Sequence, residues 1–91
     1  MIDLMEWSKS IVDALMNKNN IRKGRPYRVK ITCDPNPLNF DGMNKVVIEV
    51  IKIHDFSPVD SVLYSTDVEY CFNIEDAVEK VNHWLIKELK I

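Results

Sequence analysis

Apolar residues recur at helical spacing near the start of the chain, between residues 3 and 17. One face of that stretch carries the apolar side chains of Leu4, Trp7, Ile11, Ala14 and Leu15. A pattern of this kind predicts an amphipathic helix. Asp3 precedes the helix and Glu6 follows three residues later, which is the spacing of a capping box. Gly24 and Pro26 prevent the helix from continuing much further.

A second helix is predicted at the other end of the chain, after Asn73. Asn73 is a good N-cap residue, and Lys87 and Lys90 in the last turn complement the helix dipole, as do Glu75 and Asp76 in the first. The predicted apolar stripe consists of Ile74, Ala77, Val78, Val81, Trp84, Leu85 and Leu89.

Three strands are predicted between the helices. In the first, residues 27–33, four side chains point inward (Tyr27, Val29, Ile31 and Cys33) and alternate with Arg28, Lys30 and Thr32. Residues 45–53 are rich in β-branched residues and predict the central strand. Residues 61–70 alternate again and predict a third strand with an acidic outer end. Prolines and the Asp41-Gly42 dipeptide indicate a loop before residue 45.

The order helix-strand-strand-strand-helix predicts an α+β fold in a single domain, residues 1–91. The simplest packing is a three-stranded antiparallel meander with both helices on one face. Double-stranded-RNA-binding domains share this order and grip phosphates with lysines at the start of their last helix. Here that helix begins with "NIEDAVEK", and the loop between the first two strands holds Asp34 and Asp41. The sequence therefore does not predict RNA binding of that type.

The net charge of −2 hides an uneven distribution. Residues 1–33 carry seven Lys/Arg and three Asp/Glu, whereas residues 34–91 carry five and eleven. No apolar run approaches the roughly 20 residues that a membrane-spanning helix needs, and the start of the chain lacks the apolar block of a signal peptide. We therefore expect a cytoplasmic protein with no membrane partner, whose two cysteines are reduced thiols.

The basic residues concentrate in one stretch, residues 18–30. Neutralising several phosphates would give nucleic-acid binding that weakens steeply with salt. Alternatively, these side chains keep a turn and an edge strand soluble, or contact an acidic protein. The stretch contains Lys18, Arg22, Lys23, Arg25, Arg28 and Lys30.

Catalysis, metal binding and cofactor binding are not predicted. The only histidines, His54 and His83, lie in no recognised catalytic or ligand spacing, although Asp55 adjoins His54. A zinc site would need Cys33 and Cys71 to converge with both histidines. With only two glycines, the chain has no glycine-rich phosphate loop.

Apolar residues in the two predicted loops provide the preferred hypothesis. Either they fold back to cap the core, or they form an anchor for a partner protein inside an acidic rim. The candidate partner-binding residues are Leu38, Phe40, Asp41, Met43, Asp55, Phe56 and Asp60. We therefore expect a small regulatory protein of phage or mobile-element type that binds another protein, with inhibition as one outcome. Nucleic-acid binding through residues 18–30 is the alternative, and an uncovered edge strand would allow a homodimer.

Overall fold

Two helices and three strands follow one another in the predicted order. The structure, a computed structural model, describes residues 3–34, 45–55 and 57–90. Its elements are helix α1 (Leu4–Lys18), strand β1 (Tyr27–Asp34), strand β2 (Lys45–Lys52), strand β3 (Ser61–Ser65) and helix α2 (Ile74–Leu89). A 3-10 helix, Asp67–Glu69, lies between β3 and α2. None of the helices in these ranges is long and apolar enough to cross a membrane.

Both helices begin at the predicted capping residues. The Asp3 carboxylate accepts hydrogen bonds from the main-chain N–H groups of Met5 at 3.1 Å and Glu6 at 3.2 Å. The Asn73 side-chain oxygen accepts from the N–H of Asp76 at 2.8 Å. Each cap satisfies amide groups that the first helical turn leaves without a partner. The capping patterns in the sequence therefore locate both helix starts correctly.

The three strands form an antiparallel sheet in the order β1-β2-β3, so β2 is central as predicted. One row across the sheet joins Val29, Val50 and Tyr64. Partners in such rows direct their side chains to the same face, and neighbouring rows use opposite faces. The sheet therefore has one face that carries Val29, Val50 and Tyr64, and a second face that carries the next row.

Both helices pack on the face of the sheet that carries Val50, which confirms the predicted packing. Residues from α1, from α2 and from that face form one buried cluster. Ile48 and Val50 at its centre are fully buried, as is Val81 of α2. The cluster comprises Ile11, Val12, Leu15, Tyr27, Val46, Ile48, Val50, Cys71, Ala77, Val78 and Val81.

The second face of the sheet, called the open face below, carries the row of Arg28, Ile51 and Val62. Neither helix packs on this face, yet Ile51 is only 6% exposed. The Arg28 guanidinium approaches the Asp60 carboxylate to 3.8 Å. Because β2 lies between β1 and β3, the arginine side chain must extend across Ile51 to reach Asp60. The aliphatic part of such a side chain can cover apolar surface next to it.

The third strand ends earlier than predicted, at Ser65 rather than near residue 70. The alternation in "SVLYSTDVEY" indicates a longer strand, but the second half forms the 3-10 helix and Tyr70 adopts a left-handed conformation with φ of 52°. The cause is Thr66, which is fully buried and whose hydroxyl oxygen accepts a hydrogen bond from the main-chain N–H of Ile48 at 2.9 Å. The side chain thus takes the place of a strand carbonyl, and the main chain is free to turn.

The segment that follows Thr66 still pairs with β2. The Thr66 N–H donates to the Ile48 carbonyl oxygen at 3.0 Å, and the Val46 N–H donates to the Cys71 carbonyl oxygen at 2.8 Å. β2 is therefore hydrogen-bonded along its β3 side even beyond the end of β3. The same segment buries Cys71, whereas Cys33, predicted to point inward, is exposed near the end of β1.

Candidate protein-binding surface

The predicted basic stretch is divided by the fold. Lys18, the last residue of α1, donates to the main-chain carbonyl of Glu88 and lies 3.3 Å from its carboxylate, which ties the ends of the two helices together. Arg28 pairs with Asp60 across the open face. Two of the six basic side chains therefore already contact acidic residues of the same chain.

The other four basic residues of that stretch remain exposed. Arg22, Lys23 and Arg25 lie in the turn between α1 and β1, where Gly24 has a φ of 74°. Lys30 lies on the open face of β1. Within residues 3–34, 45–55 and 57–90 none of the four forms an ion pair. Because fewer free cations mean fewer phosphate contacts, this arrangement favours nucleic-acid binding less than the sequence alone does.

The two histidines lie in different parts of the fold, His54 just after β2 and His83 on α2. His54 shares a 2.8 Å hydrogen bond with the Ser61 hydroxyl at one end of β3, a contact that the sequence does not predict. A general base of this kind needs a third group to orient the ring, and the described residues provide none. His83 is exposed on α2. No cluster of His, Cys, Asp or Glu suited to a metal ion occurs among the described residues.

The role of the predicted partner-binding residues stays a prediction. Asp55 and Asp60 are exposed, and Asp60 forms the pair with Arg28. The remaining predicted residues lie outside the described ranges. They are Leu38, Phe40, Asp41, Met43 and Phe56.

Exposed apolar side chains concentrate in one segment, residues 59–72, which we call the β3 segment. Eight large apolar side chains are exposed in the described part of the chain, and all but Met5 and Ile86 belong to this segment. Val68 is 77% exposed and Tyr70 is 63% exposed. Scattered single residues would need no explanation, but a concentration in one short segment makes that segment a candidate contact surface. Its exposed apolar residues are Val59, Val62, Leu63, Val68, Tyr70 and Phe72.

One feature of the sequence indicates this surface, although the alternating pattern of residues 61–70 makes it hard to recognise. Val62, Val68 and Tyr70 fall in the inward phase of a strand that the alternation extends to residue 70. Leu63 breaks that phase, because it adds an apolar side chain to the opposite one. Apolar residues in both phases of a strand at the edge of a sheet indicate either two covered faces or exposure.

Tyr70 is held in place by a charged neighbour. Its ring lies under the Lys45 ammonium group, with 4.4 Å between Nζ and the ring centroid. The same ammonium group is 2.8 Å from the Asp67 carboxylate. A cation over an aromatic face is attracted by the ring quadrupole. Lys45 therefore fixes the position of an aromatic side chain that remains mostly in water.

The β3 segment lies within an acidic stretch of the sequence. Residues 53–79 contain no lysine or arginine and seven carboxylates. Arg28 and Lys45, from the neighbouring strands, neutralise two of these. The seven carboxylates are Asp55, Asp60, Asp67, Glu69, Glu75, Asp76 and Glu79.

A groove lies beside β3 on the helical face of the sheet. Its floor is Tyr64 stacked on Trp84, with ring centroids 5.3 Å apart and an angle of 13° between the planes. The groove has a volume of about 330 Å³, and its other lining residues are charged or titratable. They are Glu69, Glu79, Lys80, His83 and Lys87.

Burial near this groove affects two weak acids. Desolvation raises the pKa of the Tyr64 hydroxyl, and the negative charge of Glu69 raises it further. Desolvation also raises the pKa of the Cys71 thiol, with Asp76 adding to the effect and Lys80 opposing it. In both residues the folded protein favours the neutral form.

These raised pKa values predict that alkaline pH destabilises the protein. Each group contributes its full stability below its pKa in the unfolded chain, and that contribution is lost as the pH rises through the higher folded value. Chemical unfolding followed from neutral pH to above 9.0, the ordinary pKa of a thiol, should show a falling free energy of unfolding. The Cys71→Ala variant should show a shallower fall, and an identical fall would contradict the prediction.

Comparisons of the chain with protein-family models, with characterised proteins and with solved structures found no significant match. The proposal of a function therefore depends on the chemistry of the surface itself.

Proposed function

We propose that the protein is a non-catalytic binding protein that recognises a basic surface of another protein through its β3 segment. The observation that carries this proposal is the concentration of exposed apolar side chains in residues 59–72, within a stretch that has seven carboxylates and no lysine or arginine. Inhibition of the bound protein is one consequence such a contact would have.

The composition of the β3 segment supports a protein partner. Protein interfaces are enriched in aromatic residues at their centre, and the segment exposes Tyr70 and Phe72. Removing such side chains from water contributes affinity, while surrounding carboxylates select a partner of opposite charge and speed its approach. Nucleic acid, which is negatively charged, would be repelled from this side of the molecule.

Tyr70 combines exposure with an unfavourable main-chain conformation. A φ of 52° in an aromatic residue costs about 1–2 kcal/mol relative to ordinary conformations. A glycine would adopt the same conformation without that cost. An exposed residue makes few contacts within the fold that could offset this conformational cost. The strain therefore supports a role for the Tyr70 ring in contact with a partner.

The test is a Tyr70→Gly variant, used as bait in a nuclease-treated lysate of the native host. Wild-type protein should retain a stoichiometric basic protein, and the variant should retain at least about tenfold less, as for loss of an aromatic residue at the centre of an interface. Its stability should stay within about 1 kcal/mol of wild type, because relief of strain offsets the lost contact with Lys45. Thermal unfolding of the free proteins checks this second expectation.

Two control baits make the result specific. Met5→Ser removes another exposed apolar side chain, 85% exposed on α1, and should leave capture unchanged. A variant with both Arg22→Glu and Arg25→Glu should also bind normally. If the charge reversals abolish capture while Tyr70→Gly does not, or if nucleic acid is the only species retained without nuclease, the proposal is wrong and the basic turn is the binding site.

A further inference from the structure

The outer edge of β3 is an unpaired strand edge. Apart from the ladder with β2, residues 61–65 form no main-chain hydrogen bond with the rest of the described chain. The Thr66 N–H points toward Ile48 of β2, and in an antiparallel ladder this direction alternates from residue to residue. The main-chain N–H and C=O of Ser65 therefore point away from the sheet and are available to another strand.

The two edges of the sheet differ in how they are protected. β1 presents Arg28 and Lys30, and Pro26 precedes it. Charged side chains and prolines at an edge discourage pairing with another strand. β3 has the sequence "SVLYS", which contains no charge and no proline. Its protection is limited to its short length and the irregular register between Val50 and Ile51 of β2.

On both faces of the sheet, side chains near the β3 edge could contact the side chains of an added strand. Val62, which is 54% exposed, lies on the open face. Tyr64 lies on the helical face, where it forms the floor of the groove with Trp84. Successive side chains of a strand alternate between faces, so an added strand would direct them in turn toward Val62 and toward this groove.

We propose that the partner binds as an extended segment that joins the sheet as a fourth strand along β3. This inference rests on the proposed function and specifies its mode of recognition. Main-chain hydrogen bonds to the edge supply affinity, and side chains on both faces supply specificity. Asp60 precedes β3, and Asp67 and Glu69 follow it. The bound segment therefore has apolar residues in its centre and lysine or arginine at its ends.

Charge favours a basic segment of another protein over a second copy of the chain at the β3 edge. Two β3 segments placed side by side would bring together the carboxylates of both copies, and each copy carries seven in residues 53–79. Like charges brought together at an interface oppose association. A basic segment reverses the sign of that interaction, so the β3 edge favours a heterologous strand.

The experiment uses the full chain and a display library of random peptides, each about 12 residues long so that it exceeds the usual strand length of 5–6 residues. Selected peptides should be rich in β-branched residues with terminal lysine or arginine. NMR titration with a selected peptide should shift and protect the Ser65 amide. N-methylation of every second peptide residue removes one of the two alternating sets of amide donors. Methylation of the set that faces the β3 edge should weaken binding at least about tenfold, and methylation of the set that points away should have little effect.

A matched pair of variants tests the location. Leu63→Lys adds a charge to the middle of the edge strand and should weaken peptide binding at least about tenfold, because edge lysines block pairing and repel a basic segment. Met5→Lys adds the same charge on α1 and should have no effect. Circular dichroism should show that both variants are folded, and the N-methylated peptides give the same information without changing the protein.

The outcomes separate this inference from the proposed function. If Tyr70→Gly abolishes capture of the host protein while Leu63→Lys and N-methylation have no effect, the partner binds the β3 segment without adding a strand. Failure of the library to enrich any peptide would also overturn strand addition. A concentration-dependent dimer that Leu63→Lys dissociates would show that a second copy occupies the edge, and would overturn the choice of a heterologous strand.

Discussion

Replacement of Ile48 by alanine is expected to lower the free energy of unfolding by about 2–5 kcal/mol, which is the largest effect that we predict for a single substitution. Ile48 is fully buried at the centre of β2, and the cluster on the helical face includes residues from both helices. Because the surrounding elements are held by their own hydrogen bonds, they cannot close fully around the missing atoms. Urea unfolding of the variant at neutral pH measures the loss.

Ile51→Ala is the matched control for this experiment. Ile51 has the same side chain, lies in the same strand and is almost as buried at 6% exposure, but it faces the open side of the sheet. Arg28 extends across it, and its flexible side chain can settle into the space that truncation leaves. We expect a smaller loss than for Ile48→Ala, at the lower end of the same range and about 2 kcal/mol. Equal losses in the two variants would contradict the assignment of one covered and one open face.

The second large effect is expected for Thr66→Val, which should cost about 1–3 kcal/mol. The two side chains are similar in shape, but valine cannot accept the hydrogen bond from the Ile48 N–H. Thr66 is fully buried, so water cannot replace its hydroxyl. The variant thus leaves a buried amide without a partner, which costs more than an ordinary hydrogen bond contributes. Urea unfolding gives the free energy.

Thr66→Ser separates the hydroxyl from the methyl group. Serine keeps the hydroxyl acceptor but lacks one buried methyl group. The expected loss of about 1 kcal/mol in the free energy of unfolding therefore comes from lost apolar burial and not from a lost hydrogen bond. Amide hydrogen exchange distinguishes the two variants, because the Ile48 amide should exchange quickly with valine at position 66 and remain protected with serine. Rapid exchange in both variants, or in neither, would show that the Thr66 hydroxyl does not hold the Ile48 amide.

The elements that sequence reasoning locates correctly are those whose pattern depends on local chemistry. Asp3 and Asn73 cap the helices because their side chains reach amides two or three residues away. The apolar run of β2 identifies the central strand, because β2 is buried along almost its whole length, on the open face as well as on the helical face. Each of these features is specified by residues close together in the chain.

The third strand is present as predicted, but its predicted end near residue 70 is wrong because the end of the strand depends on a distant contact. Thr66 bonds with Ile48, eighteen residues away in the chain, and the alternation around Thr66 carries no trace of that bond. The same error conceals the candidate surface, since alternation assigns Val68 and Tyr70 to the inward side of a strand. The basic stretch is misleading for a similar reason. Its pairs with Glu88 and Asp60 join residues that only the tertiary structure brings together.

The bond between Val46 and Cys71 links the central strand to the last helix. Cys71 precedes the N-cap of α2 by only two residues, so this helix cannot move far from the sheet while the Cys71 carbonyl remains bound to β2. Val46 and Ala77 also belong to one buried cluster. The last helix and the central strand should therefore open and close as one cooperative unit. A protein built in this way can present the exposed β3 segment to a partner while the central strand and the last helix, on either side of that segment in the chain, stay joined to each other.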